Sequence, residues 1–261
     1  MALLERTLRT LGDACDRLRA VSPRVPIDVF LVDNGGFDTG SAIGAAALAG
    51  LTAREIRCEL ISGHGNVGYG CGHNFAIDRA RSRLHLILNP DVDLDAQAFV
   101  RASAFFEAHP EAGLLAPRIE EDDGSLQYLC RRYPSLLDLF VRGFAPASVR
   151  SLMALRLARY EMRDMIDGTA IVWDPPIVSG CFMLFRTALL RRLGGFDARY
   201  FLYFEDYDLS LRAHEQMRVA FVPDVRVVHH GGGASRKGMK HIRLFGASAF
   251  KFFNRFGWRL W

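Results

Sequence analysis

Three apolar segments in the first hundred residues each run directly into polar or glycine-rich chain. They are "IDVFLVDN" (27–34), "EIRCELIS" followed by "GHGNVGYGCGHN" (55–74), and "LHLILNPDVDLD" (84–95). Runs this short, rich in Val, Ile and Leu and bounded by Gly, Asn and Asp, read as buried strands. Residues 2–20, 41–50, 75–82 and 96–110 read as helices around and between them. This alternation predicts an α/β domain with a mostly parallel sheet flanked by helices. In such sheets ligands collect at the carboxyl ends of strands. Asp33-Asn34, the glycine stretch and Asn89–Asp93 are therefore expected to converge on one site.

Composition narrows the classes. The chain has 261 residues, half of them hydrophobic, enough for one large α/β domain or two smaller ones. No apolar run reaches the roughly 18–20 residues that cross a bilayer, and charges thread the first twenty residues, unlike a signal peptide. Five scattered cysteines without a CxxC pair suit free thiols in a reducing cytoplasm. No nucleic-acid motif is recognisable, and no nucleic-acid partner is expected. From Gly231 to Trp261 there are seven Lys/Arg, no acid, and seven Phe or Trp. That tail reads as a helix that rests on a membrane surface, or as one whose aromatics pack on the core; the two are compatible.

Four motifs carry chemistry. Asp91 and Asp93, two apart at a strand end, would repel one another unless a cation or water lies between them. Mg2+ and Mn2+ favour such oxygen ligands, while the plainer reading is an acidic turn in which Asp95 caps the next helix. In "YFEDYDLS", Glu205, Asp206 and Asp208 lie among aromatics, which raise carboxylate pKa values and suit an acid to proton abstraction. They also suit a helix N-terminus. "VVHHGGGAS" puts His229 and His230 at a strand end, where one could join the carboxylates on a metal. The stretch from Gly63 to Asn74 fails the dinucleotide spacing, since Gly68-x-Gly70-x-Gly72 misplaces the third glycine, and it lacks the Lys-Ser/Thr of a P-loop. His64, Cys71 and His73 lack a fourth ligand for zinc.

Taken in order, "LVDNGGFDTGS", "GNVGYGCGHNFAI", "LILNPDVDL", "SGCFMLFRTALLRRLGGFDARYFLYFEDYDLSLRA" and "VPDVRVVHHGGGAS" resemble the family 2 glycosyltransferases, in particular bacterial rhamnosyltransferase-like enzymes of surface polysaccharide assembly. The resemblance implies a Rossmann-like GT-A fold over residues 1–230, with a variable insertion at about 120–172 and a basic aromatic tail at 231–261. It implies inverting, metal-dependent transfer from a nucleotide-diphosphate sugar to a glycan or lipid-linked acceptor, in contact with the inner membrane face. Asp33 and Asn34 would contact the nucleotide. Asn66, Gly68 and Asn74 would lie against nucleotide and diphosphate, and Gly180 would shape the sugar side. Asp91 and Asp93 would hold Mg2+ or Mn2+, with His229, or the adjacent His230, near them; Asp206 would be the general base and Glu205 its support or alternative. Family members usually open with a strand ahead of a helix like "ALLERTLRTL", at which this sequence begins. Without that strand the sheet is expected to be less stable and the nucleotide pocket less complete. The competing reading is a binding module without catalysis, which donor hydrolysis with Mn2+ would separate.

Overall fold

The computed structural model describes residues 2–35, 46, 48–231 and 238–261. The Gly-rich turns expected at 36–40 and 232–235, and the first part of the helix expected at 41–50, lie outside them; residues 48–52 are helical. In chain order the elements are α1 (Ala2–Val21), β1 (Asp28–Val32), β2 (Arg57–Ile61), α2 (Tyr69–Arg79), β3 (Leu84–Leu88), β4 (Val92–Leu94), α3 (Ala98–Ala108) and β5 (Ala112–Glu120). There follow α4 (Leu136–Gly143), α5 (Ala147–Leu152), α6 (Ala154–Tyr160), β6 (Val172–Trp173), β7 (Phe182–Arg186), α7 (Thr187–Arg192), α8 (Glu205–His214), β8 (Arg218–His229) and α9 (Met239–Phe256).

The sheet is mixed rather than mostly parallel. A six-stranded sheet runs β3-β7-β5-β8-β4, with β6 also on β8. In it β5 and β8 pair in parallel, whereas β7 is antiparallel to both β3 and β5, and β4 and β6 are antiparallel to β8. Apolar patterning marks a strand but not its direction. Of the strands that turn back, β4 follows the tight Asn89-Pro90-Asp91 connection, β6 the long 121–171 excursion and β7 the short 174–181 segment. β5 and β7 are central and almost wholly apolar because both faces are covered.

β1 and β2 form a separate parallel pair, with no ladder to the larger sheet among the described residues. Both units pack on one core. Leu8, Leu11, Ala14 and Cys15, spaced to share a face of α1, belong to one core with Val29 and Leu31 of β1, Leu84 and Leu86 of β3, and Phe105 and Phe106 of α3. Thr7 Oγ1 donates to the Pro90 carbonyl at 3.0 Å, and Thr10 Oγ1 accepts from the Leu94 amide at 3.2 Å, seating α1 on the 90–94 segment. The strand edges of β1 and β3 without a ladder partner among the described residues leave the apolar residues of β1, and Leu84, Leu86 and Leu88 of β3, half-buried, although Ile87 is fully buried. Amide hydrogen exchange is accordingly expected to be faster in β1 and β3 than in β5 and β8, by at least tenfold, as mass spectrometry of exchanged peptides would read.

The insertion is helical and is tied to the C-terminus. Ser135 and Asp138 make a reciprocal capping box that starts α4. Leu139, Tyr160, Tyr200, Phe204, Phe252 and Phe253 form one buried cluster joining α4, α6, the start of α8 and α9. Arg255 reaches Asp197 and the fully buried Asp208 at 2.8 and 2.7 Å. The aromatics of α9 thus pack mainly inward. Phe250, Trp258, Leu260 and Trp261 remain exposed.

Candidate active site

The site begins with a helix where the sequence suggests a loop. α2 starts at Tyr69, so Gly70 and Gly72 lie within its first turns and are buried. Gly68 precedes it with φ of 91°, and a Cβ there would come within 2.4 Å of the Phe201 carbonyl oxygen. Only glycine fits that backbone and that approach. Asn34, at the end of β1, clamps the same turn: Nδ2 donates to the Gly68 carbonyl at 3.0 Å and Oδ1 accepts from the Val67 amide at 3.1 Å. Asn66 Oδ1 accepts from the Gly68 amide at 3.0 Å, and its residue is exposed. Asp33 Oδ1 accepts from the Gly35 amide.

Asn74 does something else. Its Nδ2 donates to the Phe196 carbonyl at 2.8 Å and its Oδ1 accepts from the Phe196 amide at 2.9 Å. Both ends of the amide are spent on the Gly194–Asp197 turn, whereas the family resemblance implies contact with a nucleotide. The structural role predicts that Asn74→Ala lowers the melting temperature by about 2–8 °C, the loss of one or two buried hydrogen bonds, with donor affinity unchanged in calorimetry. Asn66→Ala should show the converse.

The acidic motifs separate. Asp91 Oδ1 is buried without a hydrogen-bond partner and lies 3.6 Å from His229 Nε2. His229 Nδ1 lies 3.0 Å from Gln127 Oε1, while Gln127 Nε2 donates back to the His229 carbonyl at 3.1 Å. That pairing assigns the ring proton to Nδ1 and leaves an Nε2 lone pair facing Asp91. Burial pushes the His229 pKa down against the opposing pull of Asp91. Two lone-pair donors facing across 3.6 Å suit a cation. At Gly231 a Cβ would sit 2.5 Å from both Asp91 Oδ2 and His229 Nε2, so glycine keeps this space open.

Asp93 turns away from that pair. Its Oδ2 meets Arg6 Nε, and His230 Nε2 at 2.9 Å, while its Oδ1 is buried and unpartnered. His230 Nδ1 lies 2.6 Å from Asp122 Oδ1. Of the two histidines, His229 therefore faces Asp91 and His230 faces Asp93. No group of three or more His, Cys, Asp or Glu suited to a metal forms among the described residues. The zinc alternative places His64 and His73 elsewhere: His64 stacks on Phe75, and His73 packs between Tyr69 and Phe196. Burial drives the His73 pKa to about 4.

Asp206 and Glu205 open α8. Asp206 Oδ2 accepts from the Gly180 amide at 3.0 Å and Oδ1 from the Tyr207 amide at 2.9 Å. Burial raises the Asp206 pKa, and these amides oppose the rise. Glu205 is 6% exposed with Oε2 unpartnered; burial first, then the Asp206 charge, pushes it up to about 8. Immediately before it, Tyr203 and Phe204 have φ of 71° and 65°, costly for aromatic residues and characteristic of constrained sites. Asp208 is structural, its carboxylate held by Arg212 and Arg255.

Tyr69, which the sequence reading did not single out, joins the two halves. Its hydroxyl lies 2.6 Å from the Gly180 carbonyl and 3.0 Å from Asn89 Oδ1. A Cβ on Gly180 would lie 3.3 Å from Asp206 Cβ and 3.4 Å from the Tyr69 ring, so the three pack at contact distance. The Asn89 amide in turn donates to the Cys181 carbonyl at 2.9 Å. One network thus runs from Asp206 through Gly180 and Tyr69 to the segment bearing Asp91. The only sign of Tyr69 in the sequence is its place in "GYG", and Gln127 left none.

A model of the family "Glycosyltransferase like family 2" matches residues 29–243. The chain belongs to the family 2 glycosyltransferases. It is 29% identical over 243 residues to the N-acetylglucosaminyl-diphospho-decaprenol L-rhamnosyltransferase of Mycobacterium tuberculosis, covering 87% of this chain and 71% of that one. With rhamnosyltransferase WbbL of Escherichia coli K12 it shares 26% over 207 residues, 76% of this chain and 74% of the other. Among solved structures, S. aureus TarS superimposes with TM-score 0.54 at 15% identity, over 96% of this chain but only 37% of TarS. GalNAc-T7 with UDP, GalNAc and Mn2+ gives 0.55 at 13% identity, over 82% of this chain and 40% of the other. This glycosyltransferase therefore has the GT-A fold expected from its motifs. No helix among its described residues is long and apolar enough to cross a membrane. All five cysteines are free, and burial pushes Cys15, Cys130 and Cys181 up to about 12.

Proposed function

We propose that this glycosyltransferase moves a sugar of the rhamnose class from a nucleoside-diphosphate donor to a hydroxyl of a lipid-linked or growing glycan, inverting the anomeric centre. The observation that carries the reading is the Asp206 carboxylate, fixed by two backbone amides and linked through Gly180 and Tyr69 to Asn89, two residues before Asp91. The relatives' names supply the sugar and the lipid-linked acceptor.

Asp206 takes the proton of the acceptor hydroxyl as its oxygen bonds to the sugar's C1. The bond from C1 to the diphosphate oxygen breaks, and its electron pair leaves with the nucleoside diphosphate. No protein nucleophile is needed, so attack and departure occur on opposite faces. Glu205, neutral at pH 7 by its raised pKa, adds no second negative charge beside the base. Asp91 and His229 would hold Mg2+ or Mn2+. Such a cation neutralises charge on the departing diphosphate.

Incubating the protein and Mn2+ with deoxythymidine- and uridine-diphosphate sugars, with and without a prenyl-diphosphate N-acetylglucosamine acceptor, tests the reading. Nucleoside diphosphate release that is stimulated by acceptor, and greatest with the rhamnose donor, is expected. Binding of nucleotide without transfer or hydrolysis from any donor would overturn it.

A further inference from the structure

The α5–α6 segment carries two large apolar side chains that nothing among the described residues covers. Leu152 and Leu155, on either side of the Met153 bend, are 87% and 89% exposed. Phe140 of α4 and Phe144, just past its C-terminal end, are 58% and 50% exposed. Single exposed leucines are ordinary, but four large apolar residues within sixteen positions are a surface with a partner.

That surface is continuous with the C-terminal segment. The Leu136 and Leu137 amides donate to the Arg259 and Leu260 carbonyls at 2.8 and 3.2 Å, and Phe144 meets the Phe245 ring at 6.4 Å between centroids. Trp258 and Trp261 stay exposed beyond it. The charge is one-sided. Residues 136–160 hold four arginines and one acid, and residues 238–261 hold five Lys/Arg and none. Arg150, Arg159, Lys240 and Arg243 are exposed, and none has an ion pair among the described residues.

We propose that α4–α6 and the C-terminal segment together form a docking surface for an anionic lipid bilayer, with Leu152 and Leu155 as its inserted tip. Apolar side chains flanked by unpaired cations complement both the acyl boundary and the negative headgroups. The charge favours lipid over a second copy of this chain, because two such basic faces would repel. The same surface touches the catalytic elements. The Tyr160 and Tyr207 hydroxyls are 2.8 Å apart, and Tyr207 supplies an amide to Asp206. Tyr203, in the loop before Glu205, meets His241 of α9 at 2.8 Å. The inference deepens the proposed function and rests on it only for the lipid-linked acceptor.

Cosedimentation of the full chain with vesicles tests it. Binding is expected to vesicles containing 30% phosphatidylglycerol, with at least tenfold weaker binding to pure phosphatidylcholine or in 0.5 M salt. Leu152→Glu with Leu155→Glu should weaken binding at least tenfold while leaving the melting temperature and donor hydrolysis without acceptor unchanged. Because hydrolysis is read separately, failure of the lipid surface and failure of the enzymatic reading give different results. Equal sedimentation of the variant and the parent, or no binding to anionic vesicles, overturns the proposal. So does a dimer in solution that the leucine substitutions convert to monomer, which would assign the surface to self-association.

Discussion

Asp206→Asn is expected to lower turnover by about 10²–10⁴-fold, the usual contribution of a positioned general base, while nucleotide affinity changes by only a few fold. The carboxylate oxygens accept from Gly180 and Tyr207 amides. An asparagine must turn its NH2 toward one of them, setting donor against donor. A modest stability loss of about 1–2 kcal/mol should accompany the catalytic loss, and calorimetry beside steady-state kinetics separates the two.

The pH dependence carries a linked expectation. A general base at Asp206, as proposed, would act when deprotonated, and burial raises its pKa. The acid limb of the rate profile should therefore lie above the ordinary carboxylate range, with rate increasing as pH rises. Stability runs the other way. Glu205 is pushed from 4.5 to about 8 in the folded protein, so between these values the native state holds a proton that the unfolded chain has released. Stability from this group is fully present below about pH 4.5 and is lost as pH rises through 8. Glu205→Gln removes that loss and should melt higher than the parent at pH 9 but not at pH 4.5.

The second large effect is expected at Gly231. A Cβ there would occupy the space between Asp91 and His229, so Gly231→Ala should abolish stabilisation by Mn2+ in thermal melts and lower transfer at least 10²-fold. Asp91→Asn should do the same by removing the oxygen that faces His229. Asp93→Asn should act differently, because that carboxylate also anchors Arg6 and His230. It is expected to lower the melting temperature in metal-free buffer, which the other two should leave near the parent value. Equal metal response in all four proteins would remove Asp91 and His229 as a cation site.

Much of this arrangement was legible because strand ends announce themselves. Apolar runs stopping at Asp33, Asn89 and His229 located the ends of three strands, and the acids after Phe204 marked a helix start. Strand direction was not legible. β7 is as apolar as a parallel central strand, and only its position between β3 and β5 shows it to be antiparallel. The glycines of 68–72 suggested loop because glycine density is a loop signal, whereas in the structure two of them begin a helix. Partners distant in sequence were equally hidden. Asn74 is satisfied by Phe196, 122 residues away, and Gln127 orients His229 across 102. Neither pairing leaves a local pattern.

The anomeric configuration of the transfer product, read by NMR after reaction of a donor of known configuration with a lipid-linked or short glycan acceptor, tests the central claim most directly. Displacement assisted by Asp206 predicts a product of the opposite configuration, with its formation lost in Asp206→Asn. A product that retains the donor configuration, or one still formed at the parental rate by Asp206→Asn, would contradict it.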